Sequence, residues 1–259
     1  MATEAPFFSI VTVTFRNLNG LRGTADSVRE QECGDWEWIV VDGGSADGTP
    51  EYLAAVDDTR LRFVSEPDKG IFDGMRKGLA DARGRYVVFM NAGDRFSNAQ
   101  TLSHVAAAIG TANPDLVYGD SLEGDMQIQH LKPARPPAQN RYVMFTHHQA
   151  QFYCTAVARE IGFDLSYRFS GDWVLTTQVL RRPDATTLYV PEPLCLFERG
   201  GVSQQPAQRR TMHRELFRIY RDEHRHGLLR AAFYWLSKVG VNRARALLPG
   251  VYDRLRYRR

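Results

Sequence analysis

The chain has 259 residues, 43% of them apolar and 24% charged. That length and balance suit one globular domain with room for an appendage, able to bury a core without disulfides or a structural metal, and they exclude a disordered or disulfide-stapled chain. Net charge is only +3, but residues 209–259 hold fourteen Lys/Arg against four Asp/Glu, a balance of +10 that leaves −7 on residues 1–208, so an acidic body carries a basic tail.

Phe7–Phe15 is an apolar run rich in β-branched residues and reads as a buried parallel strand. Leu18–Cys33 has helical spacing, with Leu21, Ala25 and Val28 on one face. Glu37–Asp42 is a second short strand, closed by Gly43-Gly44, and the turn Ser45–Thr49 leads into a helix through about Val56. Leu61–Ser65 is a third strand, Lys69–Arg83 a helix, and Tyr86–Met90 a fourth strand that stops at Asn91-Ala92-Gly93-Asp94. Strands alternating with helices predict a mostly parallel sheet flanked by helices, which binds ligands at the carboxyl ends of its strands. Three of those ends are polar: Thr14–Asn17, Asp42–Gly44 and Asn91–Asp94.

The second half is less regular. Asp115–Asp120 reads as a strand, Pro133–Pro137 as a loop, His147–Tyr153 as a strand or turn, Trp173–Leu180 as a helix, Leu188–Val190 as a short strand and Gly200–Ser203 as a loop. From about Gln208 the chain is helical and basic, with a break at Pro249-Gly250. The expected division is a catalytic domain over 1–207, with a donor half over about 7–120 and an acceptor half over about 121–207, followed by an extension over 208–259.

Cys33, Cys154 and Cys195 are far apart and form no CxxC pair, so neither a zinc site nor a disulfide framework is indicated. The opening MATEAPFFS lacks the features of a signal peptide, and no apolar run approaches the ~18 residues of a membrane span. A cytoplasmic location is expected.

Asp42 follows two valines and precedes two glycines. Its carboxylate suits a nucleobase N–H or a ribose hydroxyl, and equally a turn or cap with Ser45. At Asn91–Asp94 a strand-end carboxylate can share a hard divalent cation with a diphosphate, while a plain turn is the commoner use of such a sequence. Asp172 stands before an apolar helical stretch, as a helix cap or as a general base toward an acceptor hydroxyl. Lys69, Gly70 and Lys77 suit phosphate, and Asp73 sits at the spacing for ion pairs with both lysines. His147 and His148 are adjacent, so in a strand they face opposite sides and one can reach a site.

SIVTVTFRN at Ser9–Asn17, VVDGGSADGT at Val40–Thr49, SEPDKGIFDGMRKG at Ser65–Gly78 and GRYVVFMNAGDRF at Gly84–Phe96 resemble, in order and spacing, the family-2 glycosyltransferases. HHQAQFY, FSGDW and GGVS add weaker matches, so that the resemblance spans roughly residues 7–205. It implies a GT-A fold, a nucleotide-sugar donor, a divalent cation (Mg²⁺ or Mn²⁺), inversion at the anomeric carbon, and a bacterial role in O-antigen, exopolysaccharide or glycolipid synthesis. Asp42 resembles the aspartate that contacts the donor base, Thr14 lies in the segment that lines the family's nucleotide pocket, Asp94 resembles the last aspartate of the DxD-like motif, and Asp172 the catalytic base. Arg16, Gly43, Lys69, Gly70, Asp73, Lys77, Asn91, Ala92 and Gly93 are further donor-side candidates, and His148 and Trp173 acceptor-side candidates. There are departures: Asn91 replaces the usual acid of the DxD-like motif, Gly93 takes its third position, and Arg16 and Arg76 stand where asparagines are usual.

A nucleotidyltransferase would show a glycine- and lysine/arginine-rich phosphate loop after the first strand, which Phe15–Gly20 does not resemble, and no GxGxxG marks a dinucleotide-dependent oxidoreductase. An inactive sugar-nucleotide-binding or scaffold protein is the alternative outside enzymology. The expected partners are a nucleotide-sugar donor and a glycan or lipid-linked acceptor. In the tail Leu228, Leu229, Phe233, Trp235 and Leu236, then Leu247, Leu248, Val251 and Tyr252, interleave with arginines. That pattern fits an anionic membrane surface or packing on the catalytic domain, and no nucleic-acid-binding motif accompanies it.

Overall fold

The structure is a computed structural model that describes residues 5–124, 127–198 and 208–247, with the side chains of 244–247 outside the description. The Gly200–Ser203 loop, the break at Pro249-Gly250 and the tail residues Leu248, Val251 and Tyr252 lie outside the described residues, as does the Leu247 side chain. The 207/208 boundary falls at the edge of that gap.

Four parallel strands form the first half of one sheet: β1 (Phe8–Thr14), β2 (Trp36–Asp42), β3 (Leu61–Ser65) and β4 (Tyr86–Phe89). β1 is wholly buried, and its register with β2 runs from Phe8 opposite Trp36 to Thr14 opposite Asp42. Pleat alternation sends Phe8 and Ile10 into one core with Leu21, Val28, Trp38 and Val40. Val11 and Val13 enter a second core with Ile39, Met75, Leu79 and Phe89. An apolar strand with no polar face is what a sheet covered on both sides requires. α1 (Leu18–Arg29), α2 (Thr49–Ala54) and α3 (Ile71–Asp81) are the crossovers. Gly74 and Gly78 of α3 lie directly on Val13 and Val11, where a Cβ would come within 2.7 and 2.4 Å of valine methyls.

The second half is mixed rather than parallel. It adds β5 (Arg95–Phe96), α4 (Thr101–Ile109), β6 (Leu116–Gly124), β7 (Gln129–Lys132), β8 (Gln151–Cys154), α5 (Thr155–Ile161), α6 (Gly171–Leu180) and β9 (Thr187–Glu198). The strand order is β3-β2-β1-β4-β8-β6-β9-β5, with β7 on β6. β8 is antiparallel to both β4 and β6, while β6 and β9 are parallel.

The expected short strand at Leu188–Val190 is three residues of a twelve-residue strand. Pro191 and Pro193 made it look finished, because proline cannot donate to a ladder. The strand passes them through register shifts around Asp120 and resumes pairing from Ser121 opposite Cys195 to Gly124 opposite Glu198.

After residue 207, α7 (Arg209–Arg218), a π-helical turn at Ile219–Glu223 and α8 (Leu228–Leu247) follow. Leu216, Ile219, Tyr220 and Ala231 share a third core with Tyr167, Trp173 and Val174.

Candidate active site

Thr14, Asp42 and the Asn91–Asp94 turn lie at the carboxyl ends of β1, β2 and β4. Thr14 is buried and its hydroxyl has no hydrogen-bond partner. Asp42 is wholly buried and engaged: one oxygen accepts from Ser45 Oγ (2.5 Å), the other from Ser45 N (2.9 Å) and Ser65 Oγ (2.6 Å). The carboxylate therefore holds the Gly43–Ser45 turn, as the turn reading requires. Arg16 takes a left-handed φ of 51°, a region that asparagine tolerates better than arginine. It is held there by its N–H on Ser45 Oγ at 2.7 Å, and its guanidinium lies over the Phe15 ring.

Asp68, which sequence reasoning passed over inside SEPDKG, faces this turn. A Cβ on Gly43 would sit 2.8 Å from its carboxylate, which also accepts from Gly70 N at 2.8 Å. Gly70 has φ 119° and opens α3 with free space where a Cβ would be. Lys69 is exposed and donates its backbone N–H to Asp73. Asp73 is buried, and the Arg76 guanidinium at 2.7 Å holds its carboxyl below the usual range. Lys77 pairs with Glu66 at 2.6 Å and stands 3.9 Å from Asp73. The ion-pair reading thus describes Asp73 and Lys77, and the unusual Arg76 supplies the partner.

The Asn91–Asp94 turn is fixed from behind by α1. Gly93 N donates to Thr24 Oγ1 (3.0 Å), Thr24 Oγ1 donates to the Asp94 carbonyl (2.7 Å), and Asn17 Nδ2 donates to the Ala92 carbonyl (3.0 Å). Gly93 has φ 108°, and a Cβ on it would come within 2.3 Å of Glu198 Oε2. Asp94 is buried, accepting from Gln149 Nε2 at 2.6 Å and from Glu198 N at 3.2 Å, and burial pushes its pKa up to about 6.

The segment after the prolines joins the two halves. His148–Ala150 is a 3₁₀ turn leading into β8. His148 Nδ1 is 3.0 Å from Asp172 Oδ2, and its Nε2 is 3.2 Å from Asn91 Nδ2. With Nδ1 donating to Asp172 and Nε2 accepting from Asn91 Nδ2, the ring satisfies both contacts. Gln149, next in the chain, reaches Asp94. His147 goes elsewhere: it stacks on Phe197, contacts Glu123 at 2.8 Å, and burial lowers its pKa to about 4. Asp172 lies in the first turn of α6, partly exposed, with its other oxygen on Trp173 N at 2.8 Å. Trp173 is not among this group. Its indole is buried in the third core, edge-on to Tyr220, with Nε1 on the Asn140 carbonyl.

The structure thus brings Asn91, Asp94, His148, Gln149 and Asp172 together, with Thr14 and Asp42 at neighbouring strand ends. Gln149, Thr24 and Glu198 were missed, since each reaches the site through a contact more than fifty residues away in sequence.

The profile of the family described as Glycosyl transferase family 2 matches residues 9–180. The chain belongs to that family. This glycosyltransferase is 34% identical over 207 residues to a "PGL/p-HBAD biosynthesis glycosyltransferase" of Mycobacterium bovis, across 77% of this chain and 80% of the relative. Its fold is similar to Staphylococcus aureus TarS 1-349 in complex with UDP-GlcNAc: TM-score 0.69, 18% identity, 92% of this chain and 72% of TarS. It is also similar to the mannosyltransferase PcManGT of Pyrobaculum calidifontis in complex with GDP-Man and Mn²⁺: TM-score 0.66, 17% identity, 98% and 81% covered. The glycosyltransferase therefore has the GT-A fold, and membership of the family sets the nucleotidyltransferase and scaffold alternatives aside.

Proposed function

We propose that this glycosyltransferase moves a sugar, with inversion, from a nucleoside-diphosphate sugar to a hydroxyl of a glycan or lipid-linked acceptor in the synthesis of cell-surface polysaccharide or glycolipid. One observation carries the reading: the adjacent residues His148 and Gln149 tie Asp172 and Asp94 into one site. One carboxylate sits at a strand end among donor-side residues, the other across from it, partly open to solvent. That division suits donor and acceptor.

The residues fit a hard divalent cation. Around Asp94 the carbonyl oxygens Asn91 Oδ1 and Gln149 Oε1 are buried with no hydrogen-bond partner, and oxygen donors are what Mg²⁺ and Mn²⁺ prefer. Among the described residues no set of three or more His, Cys, Asp or Glu side chains gathers to hold a metal, so Asp94 with the two amide oxygens would be the chain's contribution. Held at Asp94, such a cation would supply charge neutralisation for the departing diphosphate.

The chain's own residues do the rest. Thr14, Arg16, the Asp42–Gly43 turn, Lys69, Gly70 and Lys77 line the donor side. Asp172 takes the acceptor's hydroxyl proton as the acceptor oxygen bonds to the anomeric carbon and the bond to the diphosphate oxygen breaks, its electrons leaving with the nucleotide. His148, through Nδ1, holds the Asp172 carboxylate in place. Inversion follows from a single displacement.

A thermal-shift and turnover screen of nucleotide sugars with Mg²⁺ and Mn²⁺ tests the reading. At least one donor stabilises the protein and is consumed. A panel of UDP-, GDP- and dTDP-sugars in which none binds and none is consumed overturns it.

The surface of α8 supports peripheral attachment to an anionic membrane. No described helix is long and apolar enough to cross a bilayer. Ala231 and Val239 face the protein, while Leu229 (87% exposed), Phe233 (65%) and Leu236 (59%) form an outward stripe at helical spacing. Arg230 and Arg243 are exposed on the same helix, and each basic residue near an anionic surface contributes about 1 kcal/mol. Flotation should recover the protein with anionic vesicles and not with neutral ones, and replacing the three stripe residues by serine should abolish recovery. Recovery unchanged by that triple substitution overturns the attachment.

A further inference from the structure

The Asn91–Asp94 turn departs from the acidic pattern of its family at two positions, and β9 brings a carboxylate to it from more than a hundred residues away. Glu198 ends β9, and its N–H donates to Asp94 Oδ1 at 3.2 Å. Its side chain lies over Gly93, with Oε2 2.3 Å from where a Cβ on residue 93 would sit. Glycine at 93 is demanded by φ 108°, and the absent side chain leaves room for the Glu198 carboxylate. A second, independent feature points to a ligand. Gln149 is 1% exposed, its Nε2 grips Asp94 Oδ2, and its Oε1, at the other end of the same amide, has no partner. A buried carbonyl oxygen left unpaired beside the Asp94 carboxylate costs free energy unless an electron-pair acceptor joins it.

We infer that Glu198 is a cation ligand of this enzyme, supplying with Asp94 the second negative oxygen donor that Asn91 no longer provides. The inference rests on Asp94 as the cation residue and adds a ligand to it. The reason is charge: affinity for a hard divalent ion is set largely by the number of charged oxygen ligands and the rigidity with which they are held. Asp94 alone offers one charge. Glu198 makes two, and the hydrogen bond from its own backbone to Asp94 ties their positions together. The proline-interrupted β9 has a functional consequence on this view, since ending the strand at Val190 would leave the turn with a single carboxylate.

The test is direct binding of Mn²⁺, read from the electron paramagnetic resonance of the free ion, with the full chain in the presence of UDP and, separately, GDP. Glu198→Gln keeps the backbone N–H on Asp94 and nearly the same shape while removing the charge. It should weaken Mn²⁺ binding by roughly tenfold or more with the melting temperature of the metal-free protein unchanged. Glu198→Asp should recover part of the loss. Asp94→Asn serves as the reference. If Asp94→Asn loses Mn²⁺ and Glu198→Gln binds it like the wild type, the assignment of Glu198 is overturned and that of Asp94 stands. If both variants, or neither they nor the wild type, bind Mn²⁺, the cation reading fails and this inference with it.

Discussion

The two halves of the sheet reach the same site by different means. On the donor side each strand end contributes the residues that follow it in sequence: Thr14 after β1, Asp42–Ser45 after β2, Asn91–Asp94 after β4. The second half of the chain contributes from scattered elements. His148 and Gln149 come from a 3₁₀ turn, Asp172 from the start of α6 and Glu198 from the far end of β9, and their contacts run to partners 24 to 104 residues away. The first-half strand ends are thus contiguous motifs braced by α1 and by neighbouring strands, while the residues of the second half come singly from separate elements.

The comparison predicts that substitutions sort by side. The largest effect belongs to the strand-end carboxylate. Asp94→Asn should lower transfer by roughly 10²-fold or more, since charge neutralisation at the leaving group is lost. The donor's apparent affinity should fall with it in the presence of metal. Steady-state kinetics across a Mn²⁺ titration check this, and wild-type kcat in excess chelator would break the assignment.

A smaller loss is expected on the other side. His148→Ala removes the ring that holds Asp172 and Asn91, so kcat should fall by roughly tenfold or more while the donor KM stays near its wild-type value. A rise in donor KM with kcat intact would place His148 on the donor side instead. His148→Gln, which can still donate to Asp172, should restore part of the rate.

The smallest effect, and one confined to stability, belongs to the C-terminal helices. Burial lowers the pKa of His224 to about 4, against 6.5 for an unburied histidine, and the nearby His226 ring and the Arg181 and Arg141 guanidiniums act in the same direction. Below pH 6.5 the unfolded chain binds a proton there that the folded one refuses, so stability is full above that pH and falls as pH drops toward 4. Allowing for partial solvent screening, the loss is about 1–2 kcal/mol by pH 4.5. His224→Gln should flatten that slope in urea melts followed by tryptophan fluorescence, with activity at neutral pH unchanged. An identical slope in the variant would show that other groups set the acid limit.

Much of the donor half was legible because its signals are contiguous. FFSIVTVTF, WIVVD and YVVFM are strands without a polar face, and the glycines that follow them mark turns. The acceptor half hid itself in physical ways. Proline at 191 and 193 disguised a strand that bulges and continues. Pairing in both directions left no repeated strand–helix unit to count. The Asp172 carboxylate read as well for a cap, yet it reaches His148 instead of satisfying the helix start beyond its neighbour Trp173. Trp173, adjacent in sequence, turns into a core built with the C-terminal helices. For Asp42 the local reading of a turn and the family reading of a donor contact were both open, and the structure displays the turn.

The central claim is that Asp172 is the base and Asp94 belongs to the donor side. The most direct measurement is donor binding and transfer compared in Asp172→Asn. The account predicts that the variant binds nucleotide sugar and metal like the wild type, keeps its melting temperature, and transfers roughly 10²-fold more slowly or worse. Wild-type turnover together with a lowered melting temperature would contradict it, and would leave Asp172 as a residue that only supports the start of α6.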